Sequence, residues 1–270
     1  MNRSTLGDIK ASLKRKIKLP LTYVVTAFPG SLQSLLFIPR IRILGERVPV
    51  LRIVYTGCYR THPIDRLLGT DTSGIVPPFL PDVPWVAAGN LPYMGSQPSI
   101  VRDALRQLGD TRGSTFVDIG CGKGRPMIIA TEFPFAAVLG YDIATPLVDI
   151  ANRNAAIVMR RFPERTRMQA FTENMLEMEL HWPKLVIFLF NPFGQELMTA
   201  LLGKIEGALG DHSVEQLYIV YLNPACSHVF DASALLVRHS SASFPYAADE
   251  IGYGTEEQQD VIIWKNIKCI

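Results

Sequence analysis

One stretch of sequence decides the fold of this chain: Phe116-Val117-Asp118-Ile119-Gly120-Cys121-Gly122-Lys123-Gly124-Arg125-Pro126. Its first half has the apolar character of a buried strand, and its glycines allow a tight turn in which the backbone approaches a ligand closely. Pro126 suits the first turn of a helix, where a missing N–H costs nothing. Because helix N-terminal amides favour anionic groups, the stretch predicts a strand, a ligand-binding turn and a helix in succession.

Around this stretch, apolar runs of strand length alternate with segments of helical periodicity. Such alternation is typical of a mainly parallel sheet with helices on both faces. The sequence therefore predicts an α/β fold built on a doubly wound sheet. The predicted strands are 115–119, 137–141, 168–172, 185–190, 217–222 and 261–265, and the predicted helices are 99–108, 125–132, 145–160 and 195–209.

The glycine spacing distinguishes two kinds of nucleotide-binding turn. A dinucleotide-binding turn has Gly-x-Gly-x-x-Gly, which requires a small residue where this chain has Arg125. The spacing here is Gly-x-Gly-x-Gly, preceded by Asp118. This pattern resembles the first motif of class I S-adenosylmethionine-dependent methyltransferases, and the resemblance covers about residues 95–270. With Asp71-Thr72-Ser73-Gly74 upstream, the chain also resembles a set of largely uncharacterised bacterial methyltransferase-like proteins.

The resemblance implies a Rossmann-like, seven-stranded sheet that binds S-adenosylmethionine. Asp142 follows the second predicted strand, where a carboxylate accepts hydrogen bonds from ribose hydroxyls. Asn174 replaces the acidic residue that the family usually carries near the adenine amino group, and its side-chain carbonyl can accept the same hydrogen bond. The implied cofactor contacts are Asp118, Gly120, Cys121, Gly122, Gly124, Asp142, Ile143, Asn174, Met175 and Asn191.

The motif Asn191-Pro192-Phe193-Gly194 ends the fourth predicted strand. It resembles the Asn/Asp-Pro-Pro-aromatic loop of methyltransferases that act on amino groups, although the second proline is absent. The resemblance implies that Asn191 accepts N–H bonds from the methyl acceptor and that Phe193 stacks on a planar substrate. The alternative is that Asn191-Pro192 only ends the strand and Phe193 packs beneath the cofactor.

Polar residues also end and follow the fifth predicted strand, at the edge where open α/β sheets bind ligands. Tyr221 and Asn223 are predicted to line the acceptor pocket, with Tyr221 serving catalysis and Asn223 binding substrate. His228 is the predicted proton acceptor, because an imidazole performs this role near neutral pH. A histidine at this position is otherwise an ordinary surface residue.

Segments before the first strand often close over the cofactor in this superfamily. Tyr93, Thr72 and Gln97 are therefore lid candidates, and Tyr93 is also a predicted substrate contact. Within the glycine turn, Lys123 and Arg125 either hold the methionine carboxylate or lie in solvent on the helix. We favour the solvated arrangement.

Charge is unevenly distributed, although the total is only +2. Residues 1–60 contain eleven Lys and Arg but two acidic residues, whereas residues 61–270 contain sixteen basic and twenty-three acidic ones. A content of 48% hydrophobic and 19% charged residues excludes a disordered chain. We predict a basic α+β extension over residues 1–94, which includes a lid-like loop, and a methyltransferase domain over residues 95–270. A hairpin across residues 41–54 is expected to expose Arg40, Arg42 and Arg52.

The N-terminal region raises the question of membrane contact. Residues 19–39 lack charge, and they directly follow Lys14-Arg15-Lys16-Ile17-Lys18. Prolines 20, 29 and 39 argue against a spanning helix, which needs about 20 apolar residues, and no signal-peptide cleavage site is apparent. Residues 1–60 are candidates for a membrane-surface contact or a homodimer interface. We expect a cytoplasmic location, with membrane association as an option.

The four cysteines predict neither disulfides nor a metal site. Cys58, Cys121, Cys226 and Cys269 lie far apart and lack metal-ligand spacing, so they are expected to be reduced thiols.

The sequence thus predicts an enzyme that transfers a methyl group from S-adenosylmethionine to nitrogen or oxygen on a small molecule or a protein side chain. One alternative is a nucleic-acid methyltransferase that uses basic residues 1–60 to bind phosphates, which the acidic catalytic part disfavours. The other is a non-enzymatic membrane-surface or partner-binding protein with a vestigial cofactor fold.

Overall fold

A seven-stranded sheet forms the centre of the molecule. The structure is a computed structural model, and it describes residues 39–48, 55, 60–74, 93–254 and 256–267. The strands are β1 (Thr115–Ile119), β2 (Ala137–Asp142), β3 (Met168–Thr172), β4 (Lys184–Phe190), β5 (Gln216–Leu222), β6 (Leu236–Pro245) and β7 (Gln258–Asn266). Their order is β3-β2-β1-β4-β5-β7-β6; neighbours among β1 to β5 pair in parallel, and β7 is antiparallel to β5 and β6. The predicted mainly parallel, Rossmann-like methyltransferase sheet is confirmed.

Helices cover both faces of this sheet. Within the described residues they are α1 (Pro39–Arg47), α2 (Pro63–Leu68), α3 (Pro98–Arg106), α4 (Arg125–Ala130), α5 (Thr145–Arg161), α6 (Gln195–Gly210) and α7 (Ser227–Asp231). Neighbouring residues of a strand point to opposite faces. Accordingly, Phe116 packs in one hydrophobic cluster with α3, α4 and α5, whereas Val117 packs in a second cluster with α6 and α7.

The sheet reverses its winding direction beside β1. From β1 the chain proceeds outward through β2 and β3, and it then crosses to β4 on the opposite side of β1. In open α/β sheets, such a reversal leaves a crevice at the carboxyl ends of the strands, and ligands bind there. The carboxyl ends of β1, β2 and β4 are therefore where a site is expected.

Two sequence-based expectations about the elements are wrong. Strand β6 was not predicted, because its run from Leu236 to Pro245 is rich in polar residues and pairs only with β7 at the edge of the sheet. The hairpin expected over residues 41–54 is a helix from Pro39 to Arg47, and residues 49–54 lie outside the described chain. Arg42, expected in solvent, is 1% exposed because buried acceptors surround its guanidinium.

Helix α2, which precedes residue 94, shares its core with the sheet and with α3. Ile64 and Leu68 of α2 belong to the hydrophobic cluster that contains Ile100 and Phe116. The boundary expected between residues 94 and 95 stays a prediction. Among the described helices, none combines the length and hydropathy that crossing a membrane would require.

Candidate ligand-binding site

A cavity of about 210 Å³ opens at the carboxyl ends of the central strands. It lies where the sheet reverses its winding, as the topology leads us to expect. The structure therefore brings together side chains that are up to 130 positions apart in the sequence, from 93 to 223. Predicted site residues on its wall are Tyr93, Asp118, Gly120, Cys121, Asp142, Ile143, Asn174, Met175, Asn191, Phe193 and Asn223.

Four predicted site residues are not on this wall. Gly122 and Gly124 lie within the turn, where both have positive φ angles. Tyr221 is buried behind the wall and reaches it through another side chain, as described below. His228 lies on α7 with an exposed side chain, so the structure does not place it where it could accept a proton in the cavity.

The glycine turn is held against the end of β2. The amides of Gly120 and Cys121 donate to the Tyr141 carbonyl at 2.8 and 3.1 Å. Gly122 has a φ of +51°, and a Cβ built there would lie 2.1 Å from the ring of Tyr93. Glycine is therefore required at position 122 by both the backbone conformation and the close approach of Tyr93.

Asp142 is the acceptor that links this turn to β2. Its Oδ2 accepts from the Gly122 amide at 2.9 Å, and its Oδ1 accepts from the Ala144 amide at 2.9 Å. Burial raises the pKa of Asp142 above its ordinary value, and these backbone N–H groups partly oppose that rise. Since each carboxylate oxygen has two lone pairs, Asp142 retains capacity to accept hydrogen bonds from a ligand.

Asp118 is a buried carboxyl group on the wall of the cavity. Its side chain is 1% exposed, and its Oδ2 atom has no hydrogen-bond partner among the described residues. Burial, and then the charge of Asp142, raise its pKa well above the usual range. Buried polar atoms are almost always paired, so this oxygen is a candidate acceptor for a ligand or a water molecule.

Two asparagines adopt left-handed backbone conformations at the ends of neighbouring strands. Asn191 follows β4 with φ +43°, and Asn223 follows β5 with φ +52°. The Tyr221 hydroxyl donates to Asn191 Oδ1 at 3.0 Å, which fixes the orientation of that amide. Such conformations are uncommon for residues other than glycine and cluster at functional sites.

The residues after β3 form the opposite end of the wall. Asn174 Oδ1 accepts from the Leu176 amide at 3.0 Å, so one of its lone pairs is already used. Glu173, directly before it, also lines the cavity and was not predicted as a site residue. Its acidic character and its position one residue after β3 were the signals that could have identified it.

The basic side chains of the glycine turn are buried, contrary to the solvated arrangement that we favoured. Lys123 is 5% exposed and Arg125 is 4% exposed. Lys123 Nζ donates to the Ser73 carbonyl at 2.8 Å and pairs with Asp71 Oδ1 at 3.2 Å. Burial lowers the pKa of Lys123. These cations therefore hold the segment of residues 60–74 against the turn, which the sequence alone did not reveal.

Arg125 connects this segment to residues 93–96, which line the cavity and are called its roof. Its guanidinium donates to Thr72 Oγ1 at 2.8 Å and to the Thr72 carbonyl at 2.7 Å, and it reaches the carbonyls of Gly95 and Ser96 at 3.2 Å. The hydroxyl of Tyr93 donates to the same Thr72 carbonyl at 2.8 Å. The structure thus places Tyr93 over the glycine turn, as expected of a lid residue, and Thr72 beneath it as its anchor.

Asp65 and Asn154 also belong to this network and were not predicted as site residues, whereas Gln97 was predicted as a lid residue. Asp65 accepts from Thr72, both from its amide at 2.9 Å and from its hydroxyl at 2.8 Å. Asn154 of α5 donates to the Lys123 carbonyl at 3.0 Å, and it interrupts the apolar stripe of its helix, which is a recognisable signal. Gln97, a lid candidate, pairs with His62 at 2.9 Å and does not line the cavity.

All charged groups among the described lining residues are acidic. They are Asp118, Asp142 and Glu173, and no Lys, Arg or His is among the described lining residues. The described residues contain no cluster of His, Cys, Asp and Glu suited to a metal ion. Cys121 and Cys226 are free thiols, and burial raises the pKa of Cys121 well above its usual value, which makes it unreactive. Cys58 and Cys269 lie outside the described residues.

Comparisons with known proteins give distant structural matches only. No protein-family profile and no curated sequence matches the chain. Magnesium protoporphyrin IX methyltransferase from Synechocystis PCC 6803, with bound SAM, is 13% identical over 62% of this chain and 76% of that one, with a TM-score of 0.45. An RNA methyltransferase from Salinibacter ruber, in complex with S-adenosyl-L-homocysteine, is 17% identical over 65% and 95%, with a TM-score of 0.45.

A third solved structure, the ribosomal protein L11 methylase from Lactobacillus delbrueckii subsp. bulgaricus, is 13% identical over 62% of this chain and 77% of that one, with a TM-score of 0.41. These proteins act on unlike substrates and are too distant to carry an argument about the present chain. The order and direction of its own strands give the chain the fold of the class I S-adenosylmethionine-dependent methyltransferases.

Proposed function

We propose that this protein transfers a methyl group from S-adenosylmethionine to a nucleophilic nitrogen or oxygen on a small molecule or a protein side chain. The observation that carries the proposal is the acidic cavity at the reversal point of the sheet, lined by Asp118, whose Oδ2 has no hydrogen-bond partner among the described residues. The fold supports the reaction class, and the cavity supports the choice of cofactor.

The charge of the cavity favours a cationic nucleoside over a dinucleotide. S-adenosylmethionine has a positively charged sulfur and an ammonium group, whereas a dinucleotide brings a negatively charged pyrophosphate. A wall whose described ionisable groups are the carboxyls of Asp118, Asp142 and Glu173 suits the former and offers no cation to the latter. Burial raises the pKa of Asp118 and of Asp142, and a bound cation would favour the ionised form of both. The same charges oppose the approach of a nucleic-acid phosphate, so we favour acceptors other than nucleic acid.

Each end of the cofactor has a suitable partner on the wall. Asp142 is placed to accept from ribose hydroxyls with its remaining lone pairs. Asp118 Oδ2 is the acceptor for the ammonium group, which would satisfy its missing hydrogen bond. Ile143 and Leu147 form an apolar part of the wall suited to adenine, beside Asn174.

The chain itself must align the acceptor with the transferable group. When bound, S-adenosylmethionine supplies a methyl group on a positively charged sulfur, which needs little further activation. Asn191 is preorganised for alignment, because the Tyr221 hydroxyl holds its side-chain amide in one orientation. Phe193 and Asn223 form the neighbouring wall and are placed to contact the acceptor. We therefore assign Tyr221 a positioning role rather than direct contact.

Isothermal titration calorimetry with S-adenosylmethionine and S-adenosylhomocysteine tests the proposal. We expect one binding site, and we expect Asp142→Ala to weaken both ligands by at least about tenfold, because charge-assisted hydrogen bonds to ribose would be lost. Asp149→Ala, on the exposed side of α5, is the matched control and should bind normally. Unaltered binding by Asp142→Ala would refute the placement of the cofactor.

The free thiols Cys121 and Cys226 support our further proposal of a reducing, cytoplasmic location.

A further inference from the structure

Helix α1 directs two charged side chains, those of Arg42 and Glu46, toward the body of the protein. Arg42 is 1% exposed, and its guanidinium donates to Thr61 Oγ1 at 3.1 Å, to the Ser73 carbonyl at 3.0 Å and to Asp71 Oδ1 at 3.2 Å. An isolated surface helix of a globular protein does the opposite and buries its apolar stripe. The inward side of α1 is thus polar and fully engaged.

The acidic residue of α1 is engaged in the same way. Glu46 accepts from the Thr61 amide at 2.5 Å with one oxygen and pairs with Arg66 through the other. No other acidic residue occurs in α1. Its negative charge is therefore neutralised by the body of the protein and is not presented to a partner.

The outward side of α1 is aliphatic and basic. Leu44 is 63% exposed, Ile41 and Ile43 are each 40% exposed, and Val48, directly after the helix, is 39% exposed. The basic residues Arg40 and Arg47 of the same helix are exposed as well. Four exposed aliphatic side chains on one short element exceed the isolated apolar residues that an ordinary surface carries.

We propose that this α1 face, formed by Arg40, Ile41, Ile43, Leu44, Arg47 and Val48, docks the protein on an anionic membrane surface. Aliphatic side chains combined with arginines are the composition of helices that lie in the interfacial plane of a bilayer. The aliphatic groups would enter the acyl boundary, and the arginines would extend to the lipid phosphates. The proposal does not rest on the proposed function.

Charge selects the membrane over a second copy of the chain. Two copies that met through the α1 face would bring their own Arg40 and Arg47 side chains together, which is unfavourable. The sequence before α1 adds to the positive charge, since residues 1–60 have eleven basic and two acidic residues. The uncharged residues 19–39 lead directly into the helix, so apolar and basic character are continuous along the chain.

The α1 face is also firmly attached to the body of the protein. Arg42 of α1 and Lys123 of the glycine turn bind the same two acceptors, Asp71 Oδ1 and the Ser73 carbonyl. Docking would therefore bring the cofactor-side domain to the surface as one body, without requiring α1 to detach.

Vesicle flotation of the full chain tests the proposal. We expect the protein to float with vesicles of equal parts phosphatidylglycerol and phosphatidylcholine, and to float at least about fivefold less with phosphatidylcholine alone. Leu44→Glu should reduce flotation with the anionic vesicles by about tenfold, because a charge replaces the most exposed aliphatic group. Val237→Glu, at an aliphatic residue of β6 that is 43% exposed, is the matched control and should float like the wild type.

Circular dichroism would show whether each variant is folded, and light scattering would show whether the protein is a monomer or a dimer. Val48→Glu is a second variant in case Leu44→Glu unfolds, and it should show the same loss. Equal flotation with both kinds of vesicle, or flotation that neither variant reduces, would overturn the proposal. A dimer that Leu44→Glu dissociates, without flotation of the wild type, would also overturn it by identifying a second copy as the occupant.

Discussion

Among single residues, Asp118 shows most clearly how the structure departs from what stability alone would favour. It places a carboxyl group on β1, an interior strand of the sheet, with one oxygen unpaired within the described chain. An asparagine or a leucine would be less costly there in the absence of a ligand. A buried carboxyl group of this kind beside a cavity is a candidate for ligand binding.

Asp118→Asn should stabilise the ligand-free protein and impair cofactor binding. Because the folded pKa is raised above the unfolded value of about 3.8, the folded state binds more protons, so stability falls as pH rises from about 4 through the folded pKa. The neutral amide removes that loss, and we expect Tm at pH 8 to rise by a few degrees. Thermal unfolding and calorimetry would measure both effects.

The matched variant Asp149→Asn should change neither Tm nor cofactor affinity, since Asp149 is exposed. If Asp118→Asn bound S-adenosylhomocysteine as tightly as the wild type does, its contact with the ammonium group would be refuted.

His62 is the second residue whose titration should be visible in the stability of the whole protein. Its Nδ1 accepts from the Ile64 amide at 3.3 Å, so Nε2 carries the proton and donates to Gln97 Oε1 at 2.9 Å. Burial, and then the nearby Arg125, lower the pKa of His62 to about 3. The folded protein therefore keeps this imidazole neutral.

Stability should fall as pH decreases from about 6.5 toward 3, because only the unfolded state takes up a proton there. The slope contributed by His62 is at most about 1.4 kcal/mol per pH unit. His62→Asn keeps a helix-capping acceptor but cannot titrate, so its unfolding free energy should decline less between pH 6.5 and 5. Parallel curves for the two proteins, measured by urea denaturation, would contradict this assignment.

At the scale of elements, strands β4 and β5 end in the same way. Each strand ends in an asparagine with positive φ, and Tyr221 of β5 holds the side chain of Asn191 after β4. Asparagine tolerates this conformation better than most other L-residues, whereas alanine there costs about 1–2 kcal/mol. The paired asparagines are consistent with a wall shaped for an acceptor.

Asn191→Gly and Asn191→Ala separate strain from side-chain contact. Both variants lose the bond with Tyr221, and only glycine relieves the positive φ of +43°. We therefore expect the glycine variant to have the higher free energy of unfolding, by about 1 kcal/mol in chemical denaturation. An alanine variant as stable as the glycine variant would show that position 191 is not strained.

The roof of the cavity is likewise held by contacts between separate parts of the chain. Tyr93→Phe removes the hydroxyl that anchors the roof to the Thr72 carbonyl, while the ring stays over Gly122. We expect the Kd for S-adenosylhomocysteine to rise about fivefold, since a typical hydrogen bond contributes about 1 kcal/mol. Tyr253→Phe removes a comparable bond to Arg60 away from the cavity wall and should leave the Kd unchanged. Equal effects of the two variants would argue against a roof.

On the scale of the whole molecule, the sequence was informative wherever the pattern is local. Six of the seven strands followed from apolar runs, and half of the described cavity-lining residues followed from polar residues at strand ends and from the resemblance to the methyltransferase motif. Strand β6 escaped because an edge strand needs little apolar character. The turn motif identified the site because its glycines are demanded by the local backbone.

What the sequence could not reveal depends on partners that are distant along the chain. The burial of Lys123 and Arg125 depends on Asp71 and Thr72, which are about fifty positions away. The burial of Arg42 likewise depends on acceptors at residues 61 to 73. A charged side chain is expected to lie in solvent unless its partner is known, so these contacts are apparent only in the folded chain.

A crystal structure of the protein with S-adenosylhomocysteine would show directly whether this cavity holds the cofactor. We predict density for the ligand in the cavity, with the ribose hydroxyls on Asp142, the ammonium group on Asp118 Oδ2 and the sulfur facing Asn191. Density for the ligand elsewhere, or an empty cavity at saturating ligand, would contradict the assignment of this cavity as the cofactor site.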